Sequence, residues 1–399
     1  MRPMATESET QRLRLGATLR QEDRVLPLEL FFDLVFVLAL TQCTTLMSDN
    51  PTWEGLGQGM LVLALLWWSW VAYAWLTSLV NPEEGGVRIA LFAAMASFLI
   101  AAICVPEAFG SLATEFAIAY GAVRFAQIFL MAIAGRDDPS LRRSVTGLGI
   151  GTAIGVTLLI AGSFLDPGLQ AAVWGLALVL DMSEPYFFGA EGWRLVPGHF
   201  AERHGLIVII ALGESIVAIG VGAGTELTWG IAAAAALGIG LAAALWWTYF
   251  DIVALVSARR LVRAPEGKVQ NELARDSYSY IHFLIVAGIV LLALGLKKAL
   301  GHPSDPLADT PAFALVGGIA VYLLGLVAFR YRHIRSINRH RFALAALLFA
   351  LFPLALEVSA LVMLVLLNLA LWTMIGYETR GYGEDRAEVR HGDAAPSAS

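Results

Sequence analysis

The sequence has few charged residues: Asp, Glu, Lys and Arg make up 15% of its 399 residues, against roughly a quarter in ordinary soluble domains. Apolar residues make up 58% of the chain. This balance excludes a soluble globular protein. It favours one large bundle of membrane helices joined by short loops over several aqueous domains.

The chain also lacks a cysteine framework, a cleavable signal and a basic domain. Its two cysteines, Cys43 and Cys104, lie inside apolar runs and have no disulfide or zinc spacing. The first 27 residues contain no apolar signal core, so the first hydrophobic segment is expected to remain as a helix. The basic residues sit in separate short loops, which argues against nucleic-acid binding. No phosphate-binding loop is present, and we predict no cofactor.

Runs of about 18 or more apolar residues predict twelve membrane helices. These helices are expected near residues 28–48, 56–79, 87–106, 112–134, 144–165, 168–184, 204–223, 229–256, 277–298, 312–331, 341–356 and 358–376. The last two could form one helix bent at Pro353, but that helix would span about 54 Å, against roughly 30 Å of hydrocarbon. The predicted fold class is therefore all-α, a polytopic transmembrane helical bundle of about 12 helices.

The basic residues are distributed unevenly in this arrangement. With the N-terminus inside, all Lys and Arg residues except Arg124, Lys297 and Lys298 lie on the cytoplasmic side, as expected for membrane proteins. An 11-helix chain would move the tail arginines to the opposite side. The sequence therefore predicts a multi-pass protein of the cytoplasmic cell membrane, surrounded by the lipid bilayer, with both termini in the cytoplasm.

The two halves of the chain resemble each other weakly. The string WWSWVAY in the second predicted helix is echoed by WWTYF in the eighth, and two six-helix copies would have the same orientation because six is even. Chance similarity of apolar strings is the alternative. The predicted organisation is a cytoplasmic N-terminal tail (1–27), a first repeat (28–184), an interfacial connector (185–203), a second repeat (204–376) and a disordered cytoplasmic tail (377–399).

Several ionisable residues fall inside the apolar runs, where exposure to lipid would be costly. Glu29 and Asp33 are four residues apart and share one helix face, with Asp33 the deeper. Glu214 falls near the middle of its predicted helix, where an unpaired carboxyl group suits a proton carrier. Arg124 needs a counter-charge, for which Asp33, Glu214 and Asp181 are the candidates.

Asp251 and His282 complete the candidate set. The predicted substrate- or ion-binding residues are Asp33, Glu214, Arg124, Asp251 and His282. The alternative for each is a salt bridge or interfacial anchor that holds the bundle together, but several deep acids with one deep arginine favour a polar cavity. His199, Glu202 and His204 have spacings seen in metal sites, but they begin a helix at the membrane surface, so we predict no metal site.

Three strings carry a resemblance to a known family. LPLELFFDLVFVLALTQ, HFAERHGLIVIIALGES and DSYSYIHFLIVAGIVLLALGLKKAL resemble segments of the bacterial low temperature requirement A (LtrA) family, over about residues 25–376. The resemblance implies an integral cytoplasmic-membrane protein of about 12 helices and supplies no reaction. The family-typical positions are Glu29, Phe32, Asp33, His199, Glu202, Arg203, Glu214 and Ser215.

The leading functional hypothesis is a secondary transporter or permease for a small solute or ion. In it, Asp33 and Glu214 line a midplane cavity between the repeats, and one or both of them exchange protons or a cation. Arg124 either sets the pKa of these acids or contacts an anionic group. One alternative is a membrane-embedded lipid-modifying enzyme that uses the acids and His282, although no nucleophile with an adjacent base is visible, and we assign no catalytic residue. The other is a non-catalytic membrane scaffold or sensor. A homo-oligomer is compatible with the sequence.

Overall fold

The computed structural model describes residues 20, 24–83, 85–187, 193–224 and 227–381, and this part of the chain is all-helical. Most of the two predicted tails and part of the predicted connector lie outside the described residues. The α-helices are Pro27–Asp49 (α1), Trp53–Leu79 (α2), Gly85–Cys104 (α3), Ala113–Ala134 (α4), Pro139–Gly162 (α5), Pro167–Phe187 (α6), Pro197–Ala223 (α7), Trp229–Phe250 (α8), Val253–Val262 (α9), Lys268–Ala274 (α10), His282–Gly301 (α11), Asp309–Ile334 (α12), Arg339–Ala350 (α13), Phe352–Ala355 (α14) and Ala360–Gly381 (α15).

Ten helical segments of the described chain are long and apolar enough to cross a membrane. They are α1, α2, α3 with the following turn, α4, α5, α7, α8 joined to α9, α10 joined to α11, α12, and α15. A π-helix, Arg275–Ile281, links α10 to α11. The predicted polytopic helical bundle is therefore confirmed.

Two of the predicted spans form helices that differ from the other ten. Helix α6 has 21 residues, but Gln170, Asp181 and Glu184 lie within it and make it less apolar. Helix α13 has only 12 residues, which corresponds to about 18 Å. The last helix, α15, continues to Gly381 and so extends beyond its predicted end at residue 376.

Side chains fix several helix starts. Asp138 precedes α5, and its carboxylate accepts hydrogen bonds from the backbone N–H groups of Ser140 and Leu141 at 3.0 and 3.2 Å. Pro139 occupies the first helical position, where its missing N–H costs nothing. The hydrogen bond from the Ser140 side chain and the two backbone bonds lower the pKa of Asp138 below its ordinary value. Asn338 caps α13 in the same way.

The chain divides into two compact units. Unit 1 contains the described parts of residues 1–39, 64–203 and 265–272, and unit 2 contains those of residues 40–63, 204–264 and 273–399. The division near residue 203 lies close to the predicted boundary between repeats, but residues 40–63 and 265–272 are assigned across it. The repeat itself stays a prediction.

In unit 1, helices α3 to α6 pack as successive neighbours. Glycines allow close approach between them: a Cβ at Gly121 of α4 would lie 2.8 Å from a methyl carbon of Val156 on α5. A Cβ at Gly151 of α5 would lie 2.9 Å from the carboxyl group of Glu184 on α6. Small residues at such positions are typical of helix pairs in membranes.

In unit 2, α11 and α12 pack closely along their length. A Cβ at Gly288 would lie 2.5 Å from the backbone nitrogen of Tyr322, and a Cβ at Gly295 would lie 2.5 Å from Cα of Leu315. The two backbones are therefore in contact at both glycines. Because lipid supplies no hydrophobic driving force between helices, this close packing is what stabilises the pair.

Candidate functional site

Unit 1 contains a buried charge cluster, defined here as Arg20, Glu29, Asp33, His199 and Arg203. Glu29 and Asp33 lie one turn apart on α1, and His199 and Arg203 lie one turn apart on α7, so each pair presents both side chains on one helix face. All five residues are buried; Glu29, Asp33, His199 and Arg203 are at most 1% exposed.

Glu29 is surrounded by four positive or polar groups. Arg20 Nη1 donates to Glu29 Oε2 at 3.0 Å, and the Leu26 N–H donates to the same oxygen at 2.9 Å. His199 Nε2 lies 2.8 Å from Glu29 Oε1, and Arg203 Nη1 lies 3.5 Å from that oxygen. The carboxylate therefore has its charge balanced locally.

Arg203 connects the two acids of the cluster. Its Nη2 donates to Asp33 Oδ1 at 3.1 Å, and its Nη1 donates to the Tyr73 carbonyl at 3.2 Å and to the Thr77 hydroxyl. Trp70 Nε1 donates to the same Asp33 oxygen at 2.7 Å. The guanidinium also lies over aromatic rings, 5.5 Å from the Trp70 centroid. Such bonding is needed to hold a charged side chain inside a membrane protein.

Two more family-typical residues, Phe32 and Glu202, lie on the same two helices in unit 1. The Arg203 guanidinium carbon lies 5.8 Å from the Phe32 ring centroid, and that ring packs on Tyr73 at 4.8 Å. Glu202 is exposed and accepts a hydrogen bond from the Val25 N–H at 3.1 Å. The structure therefore brings together residues from two strings that are about 170 positions apart in the sequence.

Arg124 belongs to a separate ion pair in unit 1. Its Nη2 lies 2.9 Å from Asp181 Oδ2 and donates to the Thr152 hydroxyl at 2.9 Å. The Thr152 hydroxyl in turn donates to Asp181 Oδ1 at 3.1 Å. Of the three predicted counter-charges, Asp181 is therefore the partner, while Asp33 is bound by Arg203.

Glu214 lies in unit 2 and is 1% exposed. The Thr41 hydroxyl of α1 donates to its Oε2, whereas the Thr44 hydroxyl donates to the Leu40 carbonyl at 2.9 Å. Within the described chain, no Lys, Arg or His nitrogen lies within ion-pair distance of Glu214. Ser215, next to it, is fully buried.

The two other predicted site residues also lie in unit 2. His282 begins α11, and its Nε2 lies 3.2 Å from the His204 carbonyl and 3.5 Å from the Tyr249 hydroxyl. The His282 ring packs edge-on to the His204 ring at 5.4 Å. Asp251 is half-buried at the C-terminal end of α8, where its N–H donates to the Trp247 carbonyl.

Sequence reasoning missed several partners of these groups. Arg20 lies in the predicted tail, and nothing in its polar surroundings indicates a buried ion pair. Trp70 and Thr77 lie in the aromatic string of α2, where periodicity alone does not show which face carries a hydrogen bond. Thr41 and Thr44 follow Asp33 along α1 and were the available signal, since hydroxyl groups in an apolar run need hydrogen-bond partners.

The fold and these buried charges define a polytopic helical membrane protein. The profile of the bacterial low temperature requirement A (LtrA) proteins matches residues 24–376. An uncharacterized protein from Rhizobium meliloti (strain 1021) is 31% identical over 363 residues, covering 87% of this chain and 88% of that relative. No solved structure matches the chain. The chain belongs to the LtrA family of bacterial membrane proteins.

Proposed function

We propose that the chain is a secondary transporter or permease in which Glu214 is the proton- or cation-linked carboxylate. The observation that carries the proposal is the environment of Glu214: it is buried in a membrane-spanning helix, and the Thr41 hydroxyl donates to its carboxyl group. No basic nitrogen of the described chain is within 4 Å of it. An acid in such a place is a candidate for a functional site.

The energetics support a proton or a cation at this carboxyl group. A bare carboxylate in hydrocarbon costs several kcal/mol, so the group must be protonated, paired or bound to a cation. Thr41 can hydrogen-bond either protonation state, since a hydroxyl both donates and accepts. Carboxylate and hydroxyl oxygens are also the ligands that hard cations prefer. Glu214 can therefore change its bound proton or cation without a change in fold.

The buried charge cluster of unit 1 has a different role in this proposal. Glu29 and Asp33 are each bound by a guanidinium. Protonation of either carboxylate would therefore leave a buried positive charge without its partner. We assign the cluster to positioning α1 and α7, the two helices that supply Thr41 and Glu214. Arg124 is assigned to joining α4, α5 and α6 through Asp181 and Thr152.

The proposal is tested with proteoliposomes that contain either a pH-sensitive dye or a dye that reports monovalent cations, and that are challenged with a panel of amino acids, sugars, organic anions and monovalent cations. We expect at least one solute to drive proton or cation movement through the native protein. Glu214→Gln keeps the size and hydrogen bonding of the side chain but removes its titration, and should abolish coupled movement. The matched control, Glu115→Gln, changes an exposed acid in the first turn of α4 and should retain it.

Two results would contradict this function. One is a native protein that moves no solute in the panel; the other is Glu214→Gln with the coupling of the native protein. The Thr41→Val variant adds a graded test, because it removes the hydroxyl group that binds the Glu214 carboxyl group and leaves that carboxyl group in place. This variant should weaken solute affinity without preventing folding.

A non-catalytic membrane scaffold or sensor is the second candidate. The observation that favours it is the local pairing in unit 1, where Asp33, Glu29 and Arg124 all have their charges balanced. A protein with this function would move no solute in the assay above. It would instead be expected to copurify with a constant partner under mild detergent, and Glu214→Gln would leave that association unchanged.

A further inference from the structure

A cavity of about 620 Å³ opens in unit 2, away from Glu214. It lies among the start of α9, the end of α12, the loop before α13, the start of α13 and the end of α15. Its volume is within the range of pockets that hold small ligands. Its charged and imidazole-bearing lining residues are Arg260, Arg330, His333, Arg339, His340, Arg341 and Glu378.

The cavity has a strong excess of positive charge. Four arginines line it, against one acid. That acid, Glu378, is already bound: Arg341 donates to its two carboxylate oxygens at 3.0 and 2.9 Å, and the Asn338 amide donates to it at 2.8 Å. Arg260 and Arg339 are exposed and have no ion pair in the part of the chain that the structure describes. Two guanidinium groups are therefore free to bind an anion.

His333 is a second and independent sign of a ligand. Its ring packs against Phe329 at 4.8 Å and Tyr278 at 5.7 Å, yet both ring nitrogens are buried without a hydrogen-bond partner among the described residues. Buried polar atoms in proteins are normally satisfied. A phosphate oxygen in the cavity would satisfy the donating nitrogen of this ring if the ring turned to face the cavity.

Five aliphatic side chains also line the cavity and indicate what carries the anion. Ile252, Val253, Val256, Ile334 and Ile337 line the same cavity. A free phosphate ion would gain nothing from these side chains, whereas the glycerol and upper acyl carbons of a phospholipid would bury apolar surface against them. Basic pockets between membrane helices are also a known form of lipid-headgroup site.

We propose that this cavity binds a phosphate-bearing anion, held by Arg260, Arg339 and His333, and that a membrane phospholipid with an anionic headgroup supplies it. The guanidinium groups give planar, two-pronged contacts to phosphate oxygens. The site is independent of the transport proposed for Glu214, because it uses none of the same residues.

The experiment uses the full chain purified in a neutral detergent at physiological salt, where attraction between exposed charges is screened beyond about 8 Å. Short-chain phosphatidylglycerol, glycerol phosphate and inorganic phosphate are titrated separately, and binding is read by microscale thermophoresis and native mass spectrometry. We expect one molecule of phosphatidylglycerol to bind saturably. Binding of glycerol phosphate with equal or greater affinity would instead assign the phosphate source to a soluble ester.

Variants separate a built site from general surface charge. The double variant Arg260→Gln with Arg339→Gln should weaken binding about tenfold or more, since it removes two charge-assisted contacts. Arg142→Gln with Arg143→Gln removes the same charge from two exposed arginines of α5 in unit 1 and should leave affinity unchanged. His333→Phe preserves the ring packing and should weaken binding by a smaller factor.

Three outcomes would overturn the proposal. They are no saturable binding of any of the three probes, an equal loss of affinity in the two double variants, and full affinity in Arg260→Gln with Arg339→Gln. Because Arg260 and Arg339 are exposed and make no ion pair with described residues, that variant is expected to fold. Its circular dichroism and melting temperature should match those of the native chain.

Discussion

At the scale of single residues, Arg203 is the group on which the buried charge cluster depends most. Its guanidinium contacts both Asp33 and Glu29 and also donates to the Tyr73 carbonyl and the Thr77 hydroxyl. Removing one partner of a buried ion pair costs far more stability than replacing both partners with apolar residues, because the remaining charge stays buried. The residue is therefore expected to be essential for stability.

Arg203→Leu should lower the free energy of unfolding by about 3 kcal/mol or more, measured by denaturant titration in detergent micelles. The control is Glu202→Gln on the same turn of α7. Glu202 is exposed, and glutamine can still accept the hydrogen bond from Val25, so the change should be within about 0.5 kcal/mol. Equal stability of the two variants would show that the buried charge cluster does not stabilise the fold.

At the scale of elements, the packing of α11 against α12 depends on glycine. At Gly295, a Cβ would lie 2.5 Å from Cα of Leu315, a backbone atom that can move only if the helices separate. Gly295→Ala should therefore destabilise the chain by about 1–3 kcal/mol, the usual cost of overpacking, despite the better helix propensity of alanine. The melting temperature in detergent shows whether the variant is less stable than the native chain.

The control for this prediction lies at the end of the same helix. A Cβ at Gly301 would meet no atom within 4 Å, so Gly301→Ala should be neutral or slightly stabilising. If Gly295→Ala were equally neutral, the close approach of the two backbones would not be part of the packing in the membrane.

Much of the element structure could be predicted from the sequence, because apolar runs of sufficient length have few alternatives in a bilayer. The burial of Asp33 also followed from its depth in α1. The partner of Arg124 could not be predicted from the sequence. Three acids were candidates, and the pairing of Arg124 with Asp181 depends on how α4, α5 and α6 pack. Such choices rest on tertiary geometry, which spacing along one helix does not encode.

At the scale of the whole molecule, contacts within unit 1 indicate how often the chain crosses the bilayer. Glu29 at the start of α1 touches His199 at the start of α7, so these two helices begin on the same side. An even number of crossings must separate them, which requires α6 to cross as well. Trp174 of α6 donates to the Leu159 carbonyl of α5, and Asp181 meets Thr152, as in an antiparallel pair.

Contacts within unit 2 give the same result for the region of α13. Arg341 at the start of α13 binds Glu378 near the end of α15, whereas the start of α15 hydrogen-bonds to residues before α12 through Asp305 and Pro303. The segment 339–359 therefore runs from one end of this helix group to the other. Helix α13 is too short to cross alone, but α13, α14 and their turns together complete the passage.

The chain is therefore expected to cross the membrane twelve times, with both termini in the cytoplasm, as the distribution of Lys and Arg predicts. Alkaline phosphatase fused after residue 165 or residue 357 should be active, because these positions precede α6 and α15 on the outer side. Fusions after residue 338 and at the C-terminus should be inactive, while green fluorescent protein at the C-terminus should fluoresce. With twelve crossings, fusions after residues 165 and 194 should differ in activity, because helix α6 lies between these positions and crosses the membrane. Equal activity of these two fusions would show that α6 does not cross.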